Sequence, residues 1–204
     1  YGTLRRKNKN ISRLFYNFKN VEELVDKINQ NIIHYKKPPP NSCPFYENYI
    51  LFLFSFLPFT HFKDYEFYNI KRIANAGQGF CSQQSILLLL CLRNKNIRAK
   101  IVGFKGHVIV FAKINNKNFL LDPDYGVCTK CKIEDLKSNL KTVMDSYLKK
   151  KIEKKKIFLL KKIYSGTYEI IPNRIISRNV IVEELCYVLK WIIPFIIFYF
   201  LINN

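Results

Sequence analysis

The sequence is short of acidic side chains. Fifteen Asp and Glu face 34 Lys and Arg, a formal net charge of +19 over 204 residues. Glycine is also scarce. Seven glycines and eight prolines exclude collagen-like and low-complexity classes. No Gly-rich phosphate-cradling pattern is present, which argues against a P-loop nucleotide site. No repeat period is present, which argues against a solenoid. Histidine occurs three times, so any histidine chemistry rests on few positions. Apolar material is plentiful. Hydrophobic residues make up 49% of the chain and aromatics 15%, which excludes wholesale disorder. The length suits one domain of ~150 residues plus an extension.

The positive charge alone could suit a nucleic acid or an anionic membrane surface. Lys, Asn, Ile, Phe and Tyr are abundant together, as an AT-rich genome would give. No nucleic-acid motif accompanies the charge, so no nucleic-acid partner is expected. Between Lys130 and Lys162 twelve basic residues face four acidic ones, and this basic excess lies outside the most informative block.

The six cysteines are Cys43, Cys81, Cys91, Cys128, Cys131 and Cys186. A chain with a core of this size does not need disulfide staples, so a reducing compartment is expected. Cys128–Cys131 is a lone CxxC without a second pair of soft ligands, so no metal is expected, and no other cofactor. A chain beginning at Tyr1 is expected to be a piece of a longer protein, and no signal peptide is visible in it.

Four segments follow from composition and periodicity. Residues 1–40 are basic, then helical, with Val21, Leu24, Val25, Ile28, Ile32 and Ile33 at helical spacing. Three prolines, Pro38 to Pro40, make a stiff linker. Residues 41–130 hold the expected catalytic core. In it, Tyr49–Phe59 reads as a buried helix ended near Pro58. Gly77-Gln78-Gly79 reads as a turn. Cys81 to about Asn94 reads as a helix apolar nearly all round, hence central. Ile97–Phe104 reads as a strand. His107–Ile114 and Asn118–Asp122 read as a hairpin around Asn115-Asn116, residues that tolerate left-handed conformations. Residues 131–180 form a basic amphipathic helical extension, with Leu136, Leu140, Val143, Tyr147 and Leu148 on one stripe. Residues 181–204 hold a hydrophobic helix. Leu185–Ile202 carries one charge, Lys190, and reaches the lower limit for a membrane span. Basic residues precede it, which would put the body on the cytoplasmic side. The alternative is a core or dimer helix in a cytoplasmic protein.

Three residues are placed for acyl-transfer chemistry. Cys81 opens a helix, where the dipole favours a thiolate and backbone N–H groups can face an oxyanion. His107 starts a strand with apolar neighbours and can take and return a proton. Asp122 ends the partner strand. If Asn115-Asn116 is a two-residue turn, paired residue numbers sum to 231. Asp122 then lies opposite Ile109 and diagonal to His107, at roughly 7–8 Å between backbones. A carboxylate there can orient the imidazole and stabilise its cation.

These residues stand in GQGFCSQQSILLLLCLRNKNIRAKIVGF and GHVIVFAKINNKNFLLDPDYGV. Over about Ala76–Val127 the chain resembles the transglutaminase-like superfamily, and its bacterial members of uncharacterised role in particular. The carrying motifs are a Gly-x-Cys turn with its helix, an Ile-x-Ala strand, a His-led strand and a Leu-Asp-Pro end. Asn96, Lys100 and Ile109 depart from the residues usual there. The resemblance implies an α+β, papain-like fold, with a core helix bearing the cysteine packed on an antiparallel sheet and flanked by further helices. It implies Cys81 as nucleophile, His107 as base and Asp122 as orienter. Papain-like enzymes often place a glutamine in the oxyanion hole, which makes Gln78 a candidate. Gln83 and Gln84 are alternatives for that role, though they read rather as ordinary helix residues. The implied substrate is a protein, peptide or amide, handled by a peptidase, amidase or transglutaminase through a thioester. Two other readings stand beside it. An arylamine N-acetyltransferase shares the triad order, but the arginine and one glycine of its turn are missing before Cys81. An inactive membrane-associated scaffold would keep the triad as a relic.

Overall fold

The computed structural model describes residues 11–34, 43, 45–57 and 67–203. The proline linker, Pro58 and the first ten residues lie outside these. Contacts group the chain into two compact units. One draws on 1–35 and 70–173, the other on 36–69 and 174–204.

The first unit is α+β, built on a five-stranded antiparallel sheet of order β6-β5-β4-β3-β7. The strands are β3 (Arg98–Phe104), β4 (His107–Ile114), β5 (Lys117–Asp122), β6 (Val127–Lys130) and β7 (Tyr168–Ile171). Asn115 and Asn116 both have positive φ, +47° and +61°, the geometry of a tight two-residue hairpin turn. The observed pairs Val110–Leu121 and Lys113–Asn118 give the expected register. One face of the sheet packs on α5 (Cys81–Asn94). Ile86 to Leu89 and Leu92 of this helix are buried, and the Ser85 hydroxyl donates to the Val108 carbonyl at 3.0 Å. On its far side α5 is covered by α1 (Ile11–Tyr16), α2 (Val21–Asn31) and α4 (Ile70–Ala76). A helix enclosed on both sides has no use for a polar face, which explains its continuous apolar run. The other sheet face shares a core with α6 (Leu140–Lys149) and α7 (Lys154–Tyr164), through residues such as Ile109, Phe111, Leu120, Met144, Tyr147 and Leu160.

Some expectations are corrected. Gln78-Gly79 is not a plain turn but a short strand, β2, which pairs in parallel with β1 (Ile33–His34). Ile33 is therefore a strand residue, and α2 stops at Asn31. Leu136 is buried but precedes α6, and Leu148 is exposed, so the stripe is shorter than its spacing suggests. Strands β6 and β7 were not anticipated.

In the second unit α3 (Tyr49–Phe54) is capped by Asn48, whose side chain accepts from the Ile50 and Leu51 amides at 3.1 Å each. Ile50 and Leu51 are buried, but Leu53 and Phe56 are more than half exposed, so the expected buried helix is short and one-sided. Helix α8 (Asn173–Asn203) starts well before the expected Leu185. Glu183, buried on α8, accepts from the Tyr68 amide. Lys190 Nζ donates to the Glu47 carbonyl at 2.9 Å. The helix is long and apolar enough to cross a membrane, with a mean hydropathy of 2.2 over its most apolar window and 6% of that window buried.

Candidate active site

The chain reversal before α5 depends on one close approach. A Cβ on Gly79 would lie 2.5 Å from Gln83 Cγ and 2.6 Å from its Cβ, so only glycine lets β2 run this close to the helix. Phe80 follows as the N-cap, and its side chain caps nothing. The first-turn N–H groups of a helix have no intrahelical acceptor, and here the N-cap side chain supplies none. Cys81 stands at that helix start, half-buried.

His107 opens β4 and Asp122 closes β5, both buried. His107 Nε2 donates to Asp122 Oδ2 at 2.7 Å. Cys81 lies near enough to His107 for its thiol to help raise the imidazole pKa, so the structure brings the three residues expected from the sequence together. Burial works to lower the His107 pKa. The Asp122 charge, the hydrogen bond to Asp122 and the nearby Cys81 outweigh it and hold the imidazole well above its ordinary value. The buried carboxylate therefore favours the imidazolium over the neutral ring.

Asp122 is held more firmly than a simple orienter needs. The Tyr147 hydroxyl donates to Oδ2 at 2.6 Å. The Tyr164 hydroxyl lies 3.2 Å from the same oxygen and 2.6 Å from Tyr147 Oη. The Asp124 amide donates to Oδ1 at 3.1 Å. Burial and the Asp122 charge push both tyrosines well above their ordinary pKa, so both stay protonated donors. Tyr125 places its ring edge-on to His107, with centroids 5.6 Å apart.

A second histidine stands beside these residues. His34 Nδ1 lies 2.7 Å from Asp124 Oδ1, and Gln84 Nε2 donates to the same oxygen at 2.9 Å. Asn29 donates to the Asp124 carbonyl at 2.6 Å. The bond to Asp124 is the main cause of a raised His34 pKa, opposed by burial and, to a smaller degree, by the charge of His107. Gln84 therefore holds Asp124 and is not the ordinary helix residue it seemed. Gln78 lies exposed on β2 and, among the described residues, makes no side-chain hydrogen bond, so no contact ties it to Cys81. His34, Asp124, Tyr147 and Tyr164 were all missed in the sequence. Only Asp124, in the run DPDYG, carried a local signal.

The remaining thiols differ from Cys81 in setting. Burial pushes Cys91, inside α5, to about 12, and Cys128, on β6, to about 11. Among the described residues no cluster of three metal-ligating side chains occurs. No family model matches the sequence, and no curated protein and no solved structure matches the chain.

Proposed function

We propose that the chain is a cysteine-dependent acyl-transfer enzyme with a papain-like core of the transglutaminase type, working as a peptidase, amidase or transglutaminase. The observation that carries this reading is the grouping of Cys81, His107 and Asp122, with the thiol at an uncapped helix start and the imidazolium favoured by a buried carboxylate. Cys81 Sγ, as thiolate, attacks the carbonyl carbon of an amide, and the oxyanion forms beside the first-turn N–H groups, that of Cys81 among them. As the C–N bond breaks, His107 gives its proton to the leaving amine. Cys81 then carries the acyl group as a thioester. Water or a second amine attacks it, loses a proton to His107, and releases the thiolate. Asp122 keeps the imidazole oriented and stabilises its cation throughout. Helix α8 would hold the protein in a membrane. Arg174, Arg178 and the lysines before it favour a cytoplasmic body.

The test is acyl-enzyme trapping with a panel of N-blocked amino-acid p-nitrophenyl esters, read by intact and peptide mass spectrometry. The expected result is one acyl group on Cys81, released by hydroxylamine, absent in Cys81→Ala and slow to form in His107→Ala. Acylation spread evenly over Cys81 and Cys128, unchanged in His107→Ala, would overturn the reading in favour of an inactive scaffold.

A further inference from the structure

Helix α7 is amphipathic in an unusual way. Its inner face, Ile157, Leu160 and Tyr164, is buried in the core beneath the sheet. Its outer face should then be uniformly polar. Instead Phe158 is 74% exposed and Leu159 56% exposed. On a helix surface the neighbours of a residue lie three and four positions away. For Phe158 these are Lys154, Lys155, Lys161 and Lys162, and for Leu159 they include Lys155, Lys156 and Lys162. All five lysines are exposed, and among the described residues none forms an ion pair. Two bulky apolar side chains set in a ring of unpaired cations match an anionic lipid surface on both counts. The lysines meet headgroup charge while the apolar pair enters the acyl boundary.

Chain continuity favours the same occupant. Eight residues, 165–172, separate the end of α7 from the start of α8. Four of them form β7, hydrogen-bonded to β3, so the covalent connection from α7 to α8 is short. A tether this short makes the second contact effectively intramolecular.

We propose that the outer face of α7 docks on an anionic bilayer, with Phe158 and Leu159 inserted among the headgroups and the lysines against lipid phosphates. The proposal rests on α8 being membrane-embedded for its tether, while the docking face itself does not depend on it. At about fivefold in affinity per lysine near an anionic surface, five lysines outweigh any single headgroup contact.

The test uses the full chain carrying Phe158→Trp and Trp191→Phe, so that the one tryptophan reports on α7. Both exchanged positions are exposed, which spares the core. The probes are vesicles of phosphatidylcholine alone and of equimolar phosphatidylcholine and phosphatidylglycerol. Flotation with phosphatidylcholine alone tests α8. A blue shift of the tryptophan, with quenching by bromine-labelled acyl chains, tests α7. The expected result is that shift on the anionic vesicles only, lost when Lys154, Lys155, Lys161 and Lys162 are changed to Gln. If the chain does not float with phosphatidylcholine, the α8 reading fails, and the shift on anionic vesicles still decides α7. An unshifted tryptophan on anionic vesicles overturns the proposal. So does a shift caused by an oligonucleotide and not by lipid.

Discussion

Asp122→Ala should cost far more stability than the loss of a positioning residue. Asp122 is fully buried, and its Oδ2 accepts from His107, Tyr147 and Tyr164 while Oδ1 accepts from the Asp124 amide. Alanine leaves a buried imidazolium with no counter-charge, and removing one partner of a buried ion pair costs about 3–5 kcal/mol. The two tyrosines can still bond each other across 2.6 Å, which limits the further penalty. Against a total stability of about 5–15 kcal/mol, that loss is large. Hydrogen exchange of β4 and β5 peptides, read by mass spectrometry on the full chain, measures it. At about 1.4 kcal/mol per tenfold, opening should speed up by about a hundredfold to several thousandfold. Asp122→Asn keeps an acceptor and the volume, and should lose about half as much. Exchange in Asp122→Ala within about threefold of the parent would refute the reasoning, because the donors would then have been satisfied without the carboxylate.

Tyr147→Phe removes the shorter tyrosine bond to Asp122 and should cost about 1.5–3 kcal/mol by the same assay, with a smaller loss for Tyr164→Phe, whose bond is longer. Gly79→Ala forces a Cβ against Gln83 Cγ and Cβ, atoms close to the backbone that cannot swing aside, and should cost about 1–3 kcal/mol and slow Cys81 alkylation. The raised His107 pKa has a definite sign in stability. The contribution is fully present below about pH 6.5, the unfolded value, and is lost as pH rises through the higher folded value. Thermal melting should therefore fall on the alkaline side in the parent, and this fall should flatten in Asp122→Asn.

The part of the site made by neighbouring elements was legible in the sequence. Asn115-Asn116 fixed a two-residue turn, the turn fixed a register summing to 231, and the register put Asp122 diagonal to His107. The uninterrupted apolar run Ile86–Leu92 marked a central helix, because an amphipathic surface helix would carry a polar face through it. What stayed hidden depends on contacts distant in the chain. Strand β7 exists because β3 offers it a free edge some 65 residues earlier, and its own four residues carry no decisive pattern. His34 reaches Asp124 across 90 positions, through a two-residue strand that periodicity cannot reveal. Tyr147 and Tyr164 look like core residues, and their rings are; only the meeting of their hydroxyls at Asp122 makes them part of the site. Helix α3 misled because an apolar run signals burial, whereas Leu53 and Phe56 face outward.

The most direct test of the catalytic line is the pH dependence of iodoacetamide alkylation at each cysteine, in the full chain and in His107→Ala. Cys81 should react rapidly below neutral pH and lose that advantage with His107, while Cys91 and Cys128, pushed up by burial, stay slow until strongly alkaline pH. A Cys81 that reacts no faster than Cys128 at neutral pH, or keeps its rate without His107, would contradict a working thiolate–imidazolium pair.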